Sequence, residues 1–374
     1  MPLIIHWQDV VFYTFILVTI IQLSHYIYFF RRVAYFTPGV REKSQQHPVS
    51  VVICSRDDAS NLAKNLPGVL VQHYPTTHEV IVVNHNSQDE TKYLLEEFKK
   101  TFRHLQAVNL SHEAKGIPGK KYPLSIGIRE AKYEVLLLTD SDCVPASEFW
   151  MNKMQEGYEE GIEIVLSYGA YNRRSGLLNK MIRFETFHSA LQYLSFALAG
   201  KPYMGVGRNL SYKKDLFFKH KGFSSINHIP GGDDDLFISK VSTATNTAVV
   251  IDHDAITLSE PKTSFGDWIR QKNRHYTTGK YYKPLHKWLL GSYSASQFLF
   301  YPLFIASAVA FDWRFALIVF VIRMSVQAFY YYKAMGKLNE KDLFAWWWLM
   351  DMWMFFYYII FVSALWKKPK KNWA

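Results

Sequence analysis

Two carboxylates two residues apart, Asp140 and Asp142 in Thr139-Asp140-Ser141-Asp142-Cys143, follow directly on an apolar run. If that run is a buried strand, a tight turn after it lets both acids reach one site. Such a pair suits a hard divalent cation, Mg²⁺ or Mn²⁺, which can hold a diphosphate and neutralise charge on it. By itself the pair is a weak signal, because acidic turns after strands are common. A second acidic run, Gly231-Gly232-Asp233-Asp234-Asp235-Leu236, fits a solvated turn or a helix cap as well as a working carboxylate. Gln271 and Arg274 lie three apart and share a face if their segment is helical. A guanidinium there suits phosphate recognition, and a surface arginine without a role is the alternative. Cys54 and Cys143 sit in apolar runs without metal-ligand spacing and are expected to be reduced core residues of a cytosolic domain.

The elements that must position these residues alternate strand with helix. Val49–Cys54, Glu79–Val83 and Val135–Thr139 are apolar runs of the kind buried on both faces of a parallel sheet. Asn61–Val71, Thr91–Lys100 and Leu124–Ala131 have helical spacing between them, and Ser87 with Glu90 forms the pattern of a capping box before the second. The pattern predicts an α/β domain with a mostly parallel sheet, whose ligands bind beyond the C-terminal strand ends. Polar residues follow each strand there: Ser55-Arg56-Asp57-Asp58, Asn84-His85-Asn86 and Asp140-Ser141-Asp142.

Aromatic and apolar residues crowd at the two ends of the 374-residue chain. Val10–Phe30 is long enough to span a bilayer and is followed by Arg31 and Arg32, so it is expected to be a retained anchor with its C-terminal end in the cytosol. Three further stretches, Ser294–Phe311, Phe315–Tyr332 and Leu343–Trp366, are expected to span as well. Counting spans puts the basic Lys333–Lys341 loop in the cytosol and the basic Lys367–Lys371 tail outside, against the positive-inside rule, unless the last segment dips in and returns. Arg323 and Asp351 fall inside these segments; either they pair across adjacent helices or both snorkel to an interface. A net charge of +11 calls for an anionic partner. Without basic runs interleaved with aromatics, membrane and nucleotide are expected and nucleic acid is not. The expected divisions are an anchor over 1–36, a linker over 37–47, a cytosolic domain over 48–285 and a membrane region over 286–374. Met181, Phe184, Phe187, Leu191, Leu194 and Leu198 mark one side of a helix at 177–199, either lying in the membrane interface or packed on the sheet.

From Val49 to Lys280 the chain resembles glycosyltransferase family 2. The blocks VSVVICSRDDASNL, EVIVVNHNSQDET, GKKYPLSIGIREAKYEVLLLTDSDC, GVGRNLSYKKDLFFKHKGF, GGDDDLF and QKNRH stand in that family's order. The resemblance implies a GT-A-like, Rossmann-type, mostly parallel sheet with helices on both faces. It implies a metal-dependent inverting transferase using a nucleotide-diphosphate sugar, with a UDP-sugar expected first. In it Asp142 would ligate the metal, with Asp140 on metal or nucleotide. Ser55, Arg56, Asp58 and Asn84 would line the nucleoside pocket, and Lys121 would approach the diphosphate. Asp233 aligns with the general base, Asp234 being second, while Gln271 and Arg274 belong to the Q-x-x-R block. Asn84 or His85 stands where the family has Asp, and His275 where it has Trp; the latter favours single transfer over processive synthesis. The layout is similar to ceramide glucosyltransferases, so a lipid or lipid-linked glycan is the expected acceptor, with a bacterial inner membrane ahead of a eukaryotic endomembrane. A processive polysaccharide synthase and a silent nucleotide-sugar-binding scaffold remain alternatives.

Overall fold

The computed structural model describes residues 6–38, 47–112, 114 and 116–363. Most of the expected linker, the end of the last expected span and the Lys367–Lys371 tail lie outside the described residues. The chain enters along α1 (Trp7–Ser24), which continues through a π-helical turn at His25–Phe30 into α2 (Arg31–Ala34).

The domain that follows begins β1 (Val49–Ser55), α3 (Ala59–Leu70), β2 (His78–His85), α4 (Thr91–Thr101), β3 (Leu105–Leu110), α5 (Lys121–Glu130) and β4 (Val135–Asp140). It continues through β5 (Cys143–Pro145), α6 (Trp150–Gln155), β6 (Ile164–Leu166), β7 (Gly169–Tyr171), α7 (Leu177–Leu198), β8 (Leu210–Lys213), α8 (Lys214–Lys219), α9 (Asp235–Val241), β9 (Thr247–Val249), β10 (Thr257–Ser259) and α10 (Phe265–Tyr276). The main sheet runs β3-β2-β1-β4-β8-β6-β9, and β5-β10-β7 form a small second sheet. Strands β1 to β4 are mutually parallel, while β8 runs antiparallel to both its neighbours.

Strand alternation explains why helices cover both faces. Val49, Val51 and Ile53 point into one core with Leu62, Leu66 and Trp150, from α3 and α6. Val52 and Cys54 point into the other with Leu124, Ile128 and Phe187, from α5 and α7. Helix α5 lies close on the sheet because Gly127 has no side chain: a Cβ there would sit 2.6 Å from Val52 Cγ1. The order places β2 on one side of β1 and β4 on the other, so the C-terminal ends of β1 and β4 flank a topological switch point, where such sheets bind ligands.

One local expectation is corrected, and one pair of alternatives is decided. The capping box at Ser87 and Glu90 does not form; Asp89 caps α4 by accepting the Thr91 N–H at 3.1 Å. The Ser87 hydroxyl instead accepts the Asp57 N–H at 2.9 Å, joining the turns after β1 and β2. Nor does α7 leave an apolar face for a bilayer. Sixteen of its 22 residues are buried. It packs between the sheet and the apolar helices, with Phe196 against Phe29 at 4.4 Å and Phe187 against Tyr331 at 5.5 Å.

Among the described residues three helical stretches are long and apolar enough to cross a membrane: Trp7–Ala34, Pro284–Lys337 and Lys341–Val362. The second, 54 residues long, would reach about 80 Å as one rod, far beyond a hydrocarbon core of about 30 Å. It is two arms, α11 (Pro284–Ser307) and α12 (Trp313–Lys337), because Asp312 is extended (φ −154°, ψ 120°) and its carboxylate caps α12. The Phe304 and Phe320 rings meet at 4.5 Å, as only a hairpin permits. With α13 (Trp347–Val362), four apolar arms stand where four were expected. Arg323 and Asp351 pair, with Nη1 to Oδ2 at 2.5 Å and Nη2 to Oδ1 at 3.1 Å. Gln22 at 2.8 Å, Gln297 at 2.9 Å and Gln327 at 2.7 Å accept from the same guanidinium. The Arg323 charge is thereby neutralised by Asp351 and hydrogen-bonded by glutamines of the other arms rather than by snorkelling.

Candidate active site

Register alone brings the first acids to the switch point: Ile53 pairs with Thr139 and Cys54 with Asp140 across β1 and β4. The turn after β4 is held by Asp58, which accepts the Ser141 hydroxyl on Oδ2 and the Asn61 amide on Oδ1 at 2.7 Å. Asn65 donates to the Ser141 carbonyl at 3.2 Å. Carboxylates of Asp140 and Asp142 and the Cys143 sulfur lie within 4.8 Å of one another. The thiol bonds Ser259 Oγ at 2.9 Å, and burial, reinforced by Asp142 and Asp140, pushes its pKa far up. The two carboxylates are the hard donors of this cluster, and such a pair fits Mg²⁺ or Mn²⁺. Burial and the Asp140 charge also raise the Asp142 pKa, as expected of acids waiting for a counter-ion.

The second acidic run reaches the same cleft. Gly231 and Gly232 both take φ of 84°, a region that side chains disfavour, and a Cβ on Gly232 would meet Leu236 Cδ1 at 2.6 Å. That turn starts α9 and separates the fates of three adjacent aspartates. Asp234 accepts the Asp235 N–H on Oδ1 and the Gly207 N–H on Oδ2, both at 2.8 Å. Asp235 accepts the Leu236 N–H at 2.7 Å, the Thr278 hydroxyl at 2.5 Å and the Tyr282 hydroxyl at 2.9 Å. Among the described residues Asp233 carries no such backbone or hydroxyl partner; its ion-pair contact is the Lys120 ammonium at 3.4 Å. Lys120 donates at the same time to Asp140 Oδ1 at 2.6 Å. Val52, Cys54, Leu124 and Leu138 floor this cleft, and Lys120, Asp140, Gly207, Asp233 and Asp234 give it charge and polarity.

Other expected residues divide by what already occupies them. Ser55 is buried at the end of β1, its hydroxyl without a hydrogen-bond partner among the described residues. Arg56 lies on the rim with its Nε 3.9 Å from Asp57. Asn84 spends its amide on Asn109 at 2.9 Å and its oxygen on the Ser87 N–H at 3.3 Å, so it shapes the turn. Lys121 is not at the cleft: it is buried and donates to the Ile229 carbonyl, while burial outweighs the three aspartates and lowers its pKa. Its neighbour Lys120 lines the cleft instead. Gln271 donates to the Tyr171 hydroxyl at 3.4 Å, and Arg274, exposed on the same helix, is near enough to help depress the Asp140 pKa.

Sequence reasoning passed over Lys120 and Arg208. In GKKY two lysines are adjacent, and only the start of α5 at Lys121 decides which of them turns inward. Arg208 follows the cleft glycine Gly207, stacks 4.3 Å over Tyr171 and donates to Ala170 O at 3.2 Å and Ser259 Oγ at 3.3 Å. Its charge pulls on both Asp140 and Asp142.

Comparison with known proteins bears on the family and the fold. The model of glycosyl transferase family 21 matches residues 11–373. The chain is 25% identical over 234 residues to glycosyltransferase AglE of Haloferax volcanii, covering 60% of this chain and 71% of that protein. It is 27% identical over 166 residues to the probable glycosyltransferase YdaM of Bacillus subtilis, covering 43% and 38% respectively. Among solved structures it resembles mannosyltransferase PcManGT from Pyrobaculum calidifontis, in complex with GDP-Man and Mn²⁺, with TM-score 0.59 and 15% identity over 92% of this chain and 99% of that one. At that identity the likeness establishes a GT-A-like fold.

Proposed function

This chain belongs to glycosyl transferase family 21 and is a glycosyltransferase; from that premise we propose that it moves one sugar, with inversion, from a nucleotide-diphosphate sugar to a membrane lipid or lipid-linked glycan. One observation carries the proposal: a single ammonium, Lys120, touches Asp140 at the end of β4 and Asp233 in the glycine turn. Acids 93 residues apart in sequence thus face one cleft at the switch point of the sheet.

Asp140 and Asp142 would hold the divalent ion, which when bound supplies positive charge against the leaving nucleoside diphosphate. Asp233 is the base, because its lone pairs are not committed to backbone donors. It takes the proton of the acceptor hydroxyl as that oxygen attacks the anomeric carbon, and one such displacement inverts the centre. Arg274 and Gln271 on α10 stand on the diphosphate side, where a guanidinium can take two phosphate oxygens. Ser55, Arg56 and Asp58 border the nucleoside end. A nucleotide sugar and a divalent ion are supported by the bound GDP-Man and Mn²⁺ of the PcManGT structure, and the choice between UDP and GDP donors stays with experiment.

The membrane acceptor is supported by the wiring of the base turn. Asp235, two residues past Asp233, is bonded to Tyr282, and α11 begins at Pro284. The acceptor side of the cleft therefore stands where the chain turns into the apolar arms. Arg183 joins Glu340 and Asp342, so the basic loop between α12 and α13 lies on the domain's side, as do Arg31 and Arg32. That sidedness supports a cytosolic domain. Detergent-solubilised protein given UDP- and GDP-sugars, Mg²⁺ or Mn²⁺ and lipid extract should release nucleoside diphosphate and yield one lipid carrying one added sugar. A ladder of oligomers would replace single transfer with processive synthesis. Unchanged cellular function in Asp142→Asn and Asp233→Asn would replace catalysis with a scaffold.

A further inference from the structure

We propose that Lys120 is an internal counter-ion that competes with the divalent metal for Asp140 and, once displaced, remains on Asp233, so that loading the metal and freeing the cleft are one event. The inference rests on the metal and base roles proposed above. Asp140, Asp233 and Asp234 line one cleft, with Asp142 beside Asp140, and the ammonium lies 2.6 Å from Asp140 and 3.4 Å from Asp233. Its place is built. Lys120 caps α5, its carbonyl accepting the Leu124 N–H at 2.9 Å, and its chain crosses an apolar floor of Val52, Leu124 and Leu138. Gly207 clears the path, for a Cβ there would stand 3.1 Å from the ammonium and 3.4 Å from Asp234 Oδ2.

An ammonium and a divalent ion on one carboxylate repel strongly in a cleft screened from water. A metal held by Asp140 would therefore displace Lys120, and Asp233 is the acid it already touches. There the ammonium would remain beside the base. Lys120 is in this sense a positioning residue that acts through two acids, and it need not touch the sugar.

Any nearby cation weakens metal binding through space, and an ammonium bonded to the metal's own carboxylate should weaken it most. Mn²⁺ binding to the purified protein, measured by calorimetry or by the electron-spin signal of free Mn²⁺ without nucleotide, tests this. Lys120→Met should bind Mn²⁺ at least about fivefold more tightly, the low end of ordinary site-to-site couplings, while turning over more slowly. Lys120→Arg, which keeps the charge, should stay close to wild type in Mn²⁺ affinity. Arg274→Met, whose charge Asp140 feels more weakly, should gain less than Lys120→Met. Melting curves without metal show that each variant is folded. Equal or weaker Mn²⁺ binding by Lys120→Met, or an equal gain in Arg274→Met, overturns the competition while leaving the metal site standing. Failure of the wild type itself to bind Mn²⁺ would remove the metal role and this inference together.

Discussion

Asp233 and its neighbour Asp234 should separate cleanly when each is changed to asparagine. Asp233 has Lys120 at 3.4 Å as its contact, and Lys120 keeps Asp140 at 2.6 Å if the acid is lost. Removing the charge therefore costs little fold, and relief of Asp234 from a like charge offsets part of that. Removing a positioned base costs about 10²–10⁴ in rate, or about 3–5 kcal/mol of barrier. Asp234 presents the opposite case. Its two oxygens each accept a backbone N–H at 2.8 Å, and an asparagine offers one oxygen and one NH₂ group. One buried donor then faces another donor, at about 1–3 kcal/mol, which lowers melting by about 2–4 °C for each kcal/mol. The assay is nucleoside diphosphate release by detergent-solubilised protein, with nucleotide binding and melting measured on the same samples. Asp233→Asn should bind nucleotide, melt near wild type and lose at least about a hundredfold in kcat. Asp234→Asn should melt lower and keep more of its turnover. A silent Asp234→Asn that melts normally, beside an active Asp233→Asn, would refute the assignment from occupied lone pairs.

Three further outcomes are expected. Burial, with Asp233 and Asp235, pushes the Asp234 pKa up to about 7 against Lys120 and the Gly207 N–H. Its proton is held more tightly in the fold than in the unfolded chain, so its stabilising contribution is complete below pH 3.8 and is lost as pH rises through about 7. Melting temperature against pH for metal-free wild type should fall more steeply across that window than for Asp234→Asn, and identical slopes would contradict the shift. Arg323→Met alone should destabilise the membrane arms by about 3–5 kcal/mol, since Asp351 is left buried and charged, whereas adding Asp351→Leu should recover much of the loss; detergent melting that shows additive costs would dissolve the pair. Gly232→Ala, forced to φ of 84° with its Cβ 2.6 Å from Leu236, should lower both melting temperature and turnover, and a variant with wild-type values in both would mean the turn can relax.

Some of this was legible in the chain itself. Val49–Ser55, His78–His85 and Val135–Asp140 form strands because unbroken apolar runs can be buried on both faces only within a covered parallel sheet, and each carries its polar residues at the end where such sheets bind ligands. Four apolar stretches likewise announced four arms, because crossing hydrocarbon demands length and apolarity that sequence displays directly. What sequence could not supply was the partner of each polar group. Asp233, Asp234 and Asp235 are the same residue three times over, and only the turn at Gly231 and Gly232 commits two of them to N–H and hydroxyl donors and leaves the third to Lys120. Lys120 and Lys121 are likewise equivalent as letters, and the start of α5 sends one to the acids and the other to the Ile229 carbonyl. The apolar spacing of α7 expressed a need for burial without naming the surface, and Ser87 could cap a helix or join two turns. Periodicity and composition are properties of neighbours along the chain, so they fix elements. Hydrogen bonds and charge pairs here join residues tens or hundreds of positions apart, so tertiary packing alone decided which acid is free, which lysine is near it and what the membrane arms share.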